Sequence, residues 1–328
     1  MVGIKVPVNK AKSQRAKSAG RLAGILVAPT LLLITVVIVW PSLAAVWSSL
    51  FGTPGLDPET GFVNDTAPFV GMQNYADIFN PGNTRFWIAL GNTTLFGFVT
   101  VIIETVIGLG MALIMHRAMR GRGLVRAAIL VPWAVPTAVS AILWKWIFDP
   151  HGAANALFGT DILWSAGNWS AKWAVMIADI WKTSPFIGLL ALAGLQVISS
   201  EVYEAAKLDG AGPIRRFFSI TLPLAKPAIV VAVLFRILDA LRMFDLPYIL
   251  IGARKGSVET LSMLVQDEAS NLRYGSAAAN AIILFLYVFI IAISFVKIFD
   301  AEIISGSEHK SPTKLRLFRR NSHKGAVK

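Results

Sequence analysis

The chain has 328 residues, of which 55% are hydrophobic and 15% charged, and its mean hydropathy is +0.61. A soluble domain carries roughly a quarter charged residues, so the composition excludes an ordinary soluble protein and indicates an all-α integral membrane protein. The net charge of +12 does not indicate a nucleic-acid binder. Its cations lie at the two ends and in short loops between apolar runs, which is a topology signal. Cysteine is absent, and the four His, at 116, 151, 309 and 323, lack ligand spacing. No disulfide, thiolate chemistry or metal site is expected.

The first element is a basic tail, 1–21, carrying Lys5, Lys10, Lys12, Arg15, Lys17 and Arg21. The apolar run after it, from Leu22 to Leu50, far exceeds the roughly 7–15 residues of a signal-peptide core. It is expected to stay as the first span. Six spans of about 20 residues or more are predicted, at about 22–50, 86–116, 124–148, 172–197, 225–250 and 276–299, making one transmembrane domain over 22–300. Pro132 and Pro136 predict a kink in the third. Basic residues cluster in the second and fourth connections (Arg117, Arg120, Arg122, Arg126; Lys207, Arg215, Arg216, Lys226) and in the last segment. The first connection is acidic, and the third has no Lys or Arg. Positive-inside bias therefore puts both ends and the 198–224 loop in the cytoplasm. Residues 301–328 read as a disordered basic cytoplasmic tail, able to lie on membrane lipid.

The fourth connection carries the strongest motif. Ser199 or Ser200 can cap a helix from Glu201 to Asp209, with an acidic first turn. Gly210 suits its stop, and Pro213 suits the first position of a second helix. On these residues alone, an ordinary amphipathic interfacial loop is the competing reading. The spacing goes further: Glu204, Ala205, Ala206, then Gly210, then Ile220, Leu222 and Pro223. This stretch resembles the cytoplasmic coupling loop of ABC importer permeases, whose pattern is Glu-Ala-Ala, three residues, Gly, nine residues, Ile-x-Leu-Pro. Looser stretches, Val70–Tyr75, Arg122–Arg126 and Met243–Leu250, are similar to carbohydrate-uptake permeases of the maltose, trehalose and glycerol-phosphate group. Leu234–Arg242 looks most like actinobacterial trehalose permeases. Gly252–Gly256 departs from the Gly-Gly-Pro stretch that often follows the fifth span in that family.

The resemblance implies a type I ABC importer permease fold with cytoplasmic coupling helices, in a bacterial cell membrane. It assigns Glu204, Ala205, Ala206, Leu208, Asp209, Gly210, Ile220, Leu222 and Pro223 to contact with an ATPase. It also implies partners: a second permease, two ATPase subunits and an extracytoplasmic sugar-binding (lipo)protein. The chain has no G-x-x-x-x-G-K-[ST] loop, so ATP and Mg belong to the partner ATPases. No cofactor is expected in this chain, which is not an enzyme.

A sugar pathway needs hydrogen-bonding groups and flat faces. Arg236, Asp239, Arg242 and Asp245 form an i+3 ladder in the fifth predicted span. With that span starting near Lys226, Arg236 falls near midplane, where charge faces a cavity or a partner helix. A structural ion-pair ladder and direct substrate contact both fit. The pathway shortlist is Trp133, Trp144, Trp181, Phe186, Arg236, Asp239, Arg242 and Asn280. Lys145–Asp149 and Asp179–Lys182 are expected to be local pairs. The function expected is ATP-driven import of a disaccharide such as trehalose or maltose. The alternatives are a glycerol-phosphate permease, whose substrate would favour cations, and an ion-coupled secondary transporter, against which no inverted repeat is visible. A membrane hydrolase lacks an H-E-x-x-H motif.

Overall fold

The computed structural model describes residues 23–55, 66–117, 120–166 and 168–308. Among them the architecture is helical, without strands. Helix α1 (Ala23–Ser48) is followed by a short helix, α2 (Gln73–Phe79). Next come the long α3 (Thr84–His116), the bent pair α4 (Arg122–Ala134) and α5 (Thr137–Ile147), the short α6 (Ala153–Phe158) and the long α7 (Asn168–Gln196). Then come α8 (Ser200–Leu208), α9 (Pro213–Ala240), α10 (Asp245–Leu250), α11 (Leu261–Ser270) and α12 (Tyr274–Glu308). Among the described residues, five helices are long and apolar enough to cross a membrane, and the α4–α5 pair makes a sixth if it is one span.

The bend between α4 and α5 is 91°. Its cause is local: Val135 precedes Pro136 and takes extended angles, φ −73° and ψ 132°, because the proline ring disfavours the helical region there. The fifth predicted span, 225–250, needs correction. Its helix begins earlier, at Pro213, and stops at Ala240, and Asp245–Leu250 is a separate helix. Continuity across Pro223 is kept by a wide turn at Phe217–Thr221, which absorbs the hydrogen bond a proline cannot donate. Arg236 therefore sits in the last turn, roughly 6 Å of rise from Ala240, not midway along the helix. The predicted disordered tail is corrected in part, since the backbone is helical through Glu308. The rest of that tail and residues 1–21 lie outside the described residues.

The centre of the bundle is α3 against α7, with α9 packed on both. Small residues bring the backbones together. A Cβ on Gly108 would lie 2.8 Å from the Ser184 carbonyl and 2.9 Å from the Gly188 nitrogen. Gly194 meets Ala228 of α9 in the same way, at 2.6 Å. Without a hydrophobic drive between lipid-embedded helices, such close approach supplies the packing.

At the start of α3, polar side chains organise the loop after α10. The Asn92 amide donates to the Gly256 and Glu259 carbonyls, both at 2.9 Å, and the Leu261 backbone N–H donates to Thr93 Oγ1 at 2.9 Å. Arg85 binds Glu259 through Nε at 3.0 Å and Asp267 at 2.7 Å. Arg254 also donates to Asp267, and Arg273 to Glu268. The departure from the family stretch at 252–256 thus supplies Arg254 to this network, and Lys255 donates to the Ser165 carbonyl at 2.9 Å.

Burial pushes the Asp267 carboxyl up, but hydrogen bonds and charge from Arg254 and Arg85 outweigh it and hold the group below the usual carboxylate range. A depressed folded value stabilises the fold above the ordinary Asp range, about pH 4, and that contribution is lost as pH falls through the folded value. The expected result is a thermal midpoint that drops below about pH 4 in the native chain and drops less in Asp267→Asn. Parallel curves would show that Asp267 contributes nothing.

Candidate functional site

Two sites emerge, at opposite ends of α9. The first is the loop joining α7 to α9. Its helix, Ser200–Leu208, is preceded by Ser199, which makes no side-chain capping bond; the expected cap is absent. The other end is closed as foreseen. Gly210 has φ +74°, a backbone region that glycine enters without strain. The Ala211 N–H donates to the Ala206 carbonyl at 2.9 Å, and the Gly210 N–H to the Lys207 carbonyl at 3.1 Å. These two bonds form a Schellman closure. Ala206 is buried, whereas Glu204, Ala205, Asp209 and Pro223 are exposed. Leu208 is 89% exposed. Ile220 and Leu222 are half-buried at the root of α9. The Tyr203 hydroxyl, 3.2 Å from Thr221 Oγ1, ties the short helix to that root.

The second site surrounds Arg236. This side chain is 2% exposed, and its guanidinium gathers three carboxylates. Nε lies 2.7 Å from Glu104 Oε2, and Nη2 lies 3.1 Å from Glu104 Oε1. Nη2 also binds Asp179, and Nη1 reaches Asp239 at 3.2 Å. Thr183 Oγ1 donates to Glu104 at 2.7 Å. One guanidinium thus clasps α3 through Glu104 and α7 through Asp179, from α9. The expected Asp179–Lys182 pair is replaced by Asp179–Arg236. The expected Lys145–Asp149 pair is also not formed, and Asp149 accepts instead from the His151 backbone N–H at 3.0 Å.

A cavity of about 340 Å3 opens beside this cluster, lined by Trp133, Thr183, Phe186, Phe235, Arg236, Asp239 and Arg242. An adjoining cavity of about 200 Å3 adds Lys182 and Asp245 to several of the same residues. Five of the eight shortlisted pathway residues therefore meet: Trp133, Phe186, Arg236, Asp239 and Arg242. The Trp133 and Phe186 rings lie 5.9 Å apart at 30°. Asp239 faces open space, with its side chain 72% exposed. The other three lie elsewhere. Trp144 stacks on Phe148 at 5.0 Å and meets the edge of Trp181 at 5.7 Å, against a hydrophobic cluster. Asn280 is buried in α12, and its amide donates to the Ser276 carbonyl at 2.9 Å. Indole size at those positions is explained by core packing, which periodicity cannot tell from cavity lining. Thr183 and Phe235 were missed, and a hydroxyl one position from Lys182 was the available signal.

Among the described residues no group of His, Asp or Glu is arranged to hold a metal.

A family model described as binding-protein-dependent transport system inner membrane component matches residues 104–305. The chain is 38% identical to the trehalose/maltose transport system permease protein MalF of Thermococcus litoralis over 296 residues, covering 88% of this chain and 97% of that protein. It is 40% identical to the trehalose transport system permease protein SugA of Mycobacterium tuberculosis over 284 residues, covering 86% and 89%. In fold it is similar to a chain of a bacterial ABC transporter that imports the acidic polysaccharide alginate, with a TM-score of 0.73 at 18% identity, over 88% of this chain and 98% of that one. Sequence and fold agree along most of the length, and the chain belongs to the family of binding-protein-dependent transport system inner membrane components, the membrane permeases of ABC importers.

Proposed function

We propose that this chain is one permease half of an ATP-driven importer for a neutral disaccharide, trehalose or maltose. It pairs with a second permease, takes its drive from two separate ATPase subunits and receives sugar from an extracytoplasmic binding protein. One observation carries the reading. A single helix, Pro213–Ala240, joins the exposed coupling helix at one end to Arg236 and Asp239 at the other. A push on Ser200–Leu208 from closing ATPases is transmitted through Tyr203–Thr221 to the root of α9. Tilting α9 moves the cavity wall, which is alternating access by rigid-body motion. The cavity suits a sugar: two aromatic faces offer flat apolar contact, Asp239 accepts from hydroxyls, and Arg242 donates to them. The cations lie beside Asp239 and Asp245, so the site does not present the uncompensated positive charge that a phosphate ester would select. The names of the relatives support trehalose and maltose. The positive-inside pattern supports cytoplasmic ends and a cytoplasmic coupling loop, and family membership removes the ion-coupled alternative.

The test is uptake of labelled trehalose and maltose by proteoliposomes holding the whole complex, with and without ATP. ATP-dependent accumulation of one of them is expected. Accumulation of neither, with ATPase activity stimulated by another solute, would reject the disaccharide. Gly210→Val is expected to lower uptake about tenfold or more, because a β-branched residue at φ +74° is strained by roughly 1–2 kcal/mol. Gly210→Asn, which tolerates that conformation, is expected to retain most of it. Equal losses in both would mean that the turn conformation is not what matters.

A further inference from the structure

We propose that the cleft at the coupling-loop end of the bundle binds the headgroup phosphate of an anionic phospholipid. The cleft measures about 760 Å3, within the roughly 300–1,000 Å3 of small-molecule sites. The end of α3, the end of α7, the coupling helix and the root of α9 wall it. Among the described residues, His116, Arg117, Lys207 and Arg216 line it, and no carboxylate does. Among the described residues, Arg117, Lys207 and Arg216 form no ion pair. The Arg216 Nε is buried and has no acceptor. A buried donor of this kind is destabilising until something accepts from it. With Arg117 and Lys207 lining the same cleft, the acceptor that fits is an anion.

Two further observations select a lipid. The floor of the cleft is apolar, formed by Leu113, Leu195 and Phe217. A cationic rim over an apolar floor matches a phosphate joined to an acyl chain. The cleft also lies where spans end: His116 closes α3 and Gln196 closes α7. Beside it, Ile214 is 77% and Phe218 62% exposed, as expected of side chains that dip into an interface. The segments outside the described residues at either end, 1–22 and 309–328, contain no Asp or Glu. The inference does not depend on which solute is carried.

The test uses the whole complex with its ATPases, purified in detergent and titrated with phosphatidylglycerol or phosphatidylcholine, and read by native mass spectrometry. Retention of phosphatidylglycerol over phosphatidylcholine is expected. The combined Arg117→Gln, Lys207→Gln and Arg216→Gln variant is expected to weaken it about fivefold per charge removed, on the order of a hundredfold in all. Arg216→Lys should keep most of the retention, and Arg254→Gln, beside Arg85 at the other end of α3, all of it. The same spectra report whether each variant still assembles. Equal retention of the two lipids, or undiminished retention by the triple variant, overturns the proposal. So does inorganic phosphate binding with the same variant dependence while the lipid does not, which assigns the site to a soluble phosphate. Lipid bound only after the ATPases are stripped away also overturns it, because the cleft would then be a protein interface.

Discussion

Replacing Arg236 with Met is expected to destabilise the bundle by about 3–5 kcal/mol, the usual consequence of leaving buried charges without their partner. Arg236 is 2% exposed and Glu104 0%. Without the guanidinium, the Glu104 and Asp179 carboxylates are left side by side, both largely buried, with no cation between them. Either both remain charged and repel, or one takes up a proton and loses its purpose as an anchor. Arg236→Lys is expected to recover little, because one ammonium cannot reproduce the forked contact made through Nε and Nη2. Glu104→Gln in the Met background should restore part of the loss. Asp239→Asn is expected to change stability by less than about 1 kcal/mol, since its carboxylate is 72% exposed and solvent screens the pair. The measurement is thermal and denaturant unfolding of the solubilised complex, arranged as double-mutant cycles for Glu104–Arg236 and Asp239–Arg236. An Arg236→Met protein as stable as the parent would refute the clasp. A stable Asp239→Asn protein with lowered sugar uptake would separate the transport role of Asp239 from the structural role of its neighbour.

This division of labour was partly legible in the sequence. The ladder through Arg236, Asp239, Arg242 and Asp245 was visible, and the structure divides its members between ion pairing and cavity lining. Arg236 is structural in its contacts, while Asp239 and Arg242 line open space. The partners of Arg236 were less legible. Glu104 and Asp179 stand in separate apolar helices, 75 residues apart in the chain. Sequence spacing reports neighbours on one helix, so it favoured Lys182 for Asp179. A parity rule would have done better: a carboxylate buried in an apolar run needs a cation, and Arg236 is one of very few at hand. The turn between α8 and α9 was legible in the sequence, because a Schellman turn is local and Gly210 marks it. The end of α9 was not. Apolar character continues past Ala240 to Leu250, and hydropathy does not register the break at 241–244. Trp144, Trp181 and Asn280 show the same limit from another side, since polarity and ring size within a span do not reveal which way a side chain turns.

Gly108→Ala is expected to destabilise the assembled bundle by about 1–3 kcal/mol, although it adds a single methyl group. In an isolated helix this change is favourable by up to about 1 kcal/mol. The sign reverses here because the new Cβ would lie 2.8 Å from the Ser184 carbonyl oxygen and 2.9 Å from both the Gly188 nitrogen and the Ile187 Cβ. Two of those atoms are backbone, which cannot rotate away as a side-chain tip can. Helices α3 and α7 must therefore separate by several tenths of an ångström or more. That displacement acts on the neighbouring cluster, because Glu104 lies one turn before Gly108 and Thr183 is adjacent to Ser184. Loosening the crossing lengthens the Thr183–Glu104 bond, now 2.7 Å, and weakens the site that Arg236 completes. Gly110→Ala is the internal control. It lies on the same helix, two residues on, and a Cβ there meets nothing within 4 Å, so it should be neutral or mildly stabilising. Unfolding midpoints of the two variants beside the parent decide the matter. If both alanines shift stability alike, the α3–α7 crossing is not held by backbone proximity at Gly108. If only Gly108→Ala is destabilised, and its effect is not additive with Glu104→Gln, the close crossing and the charge clasp form one structural unit.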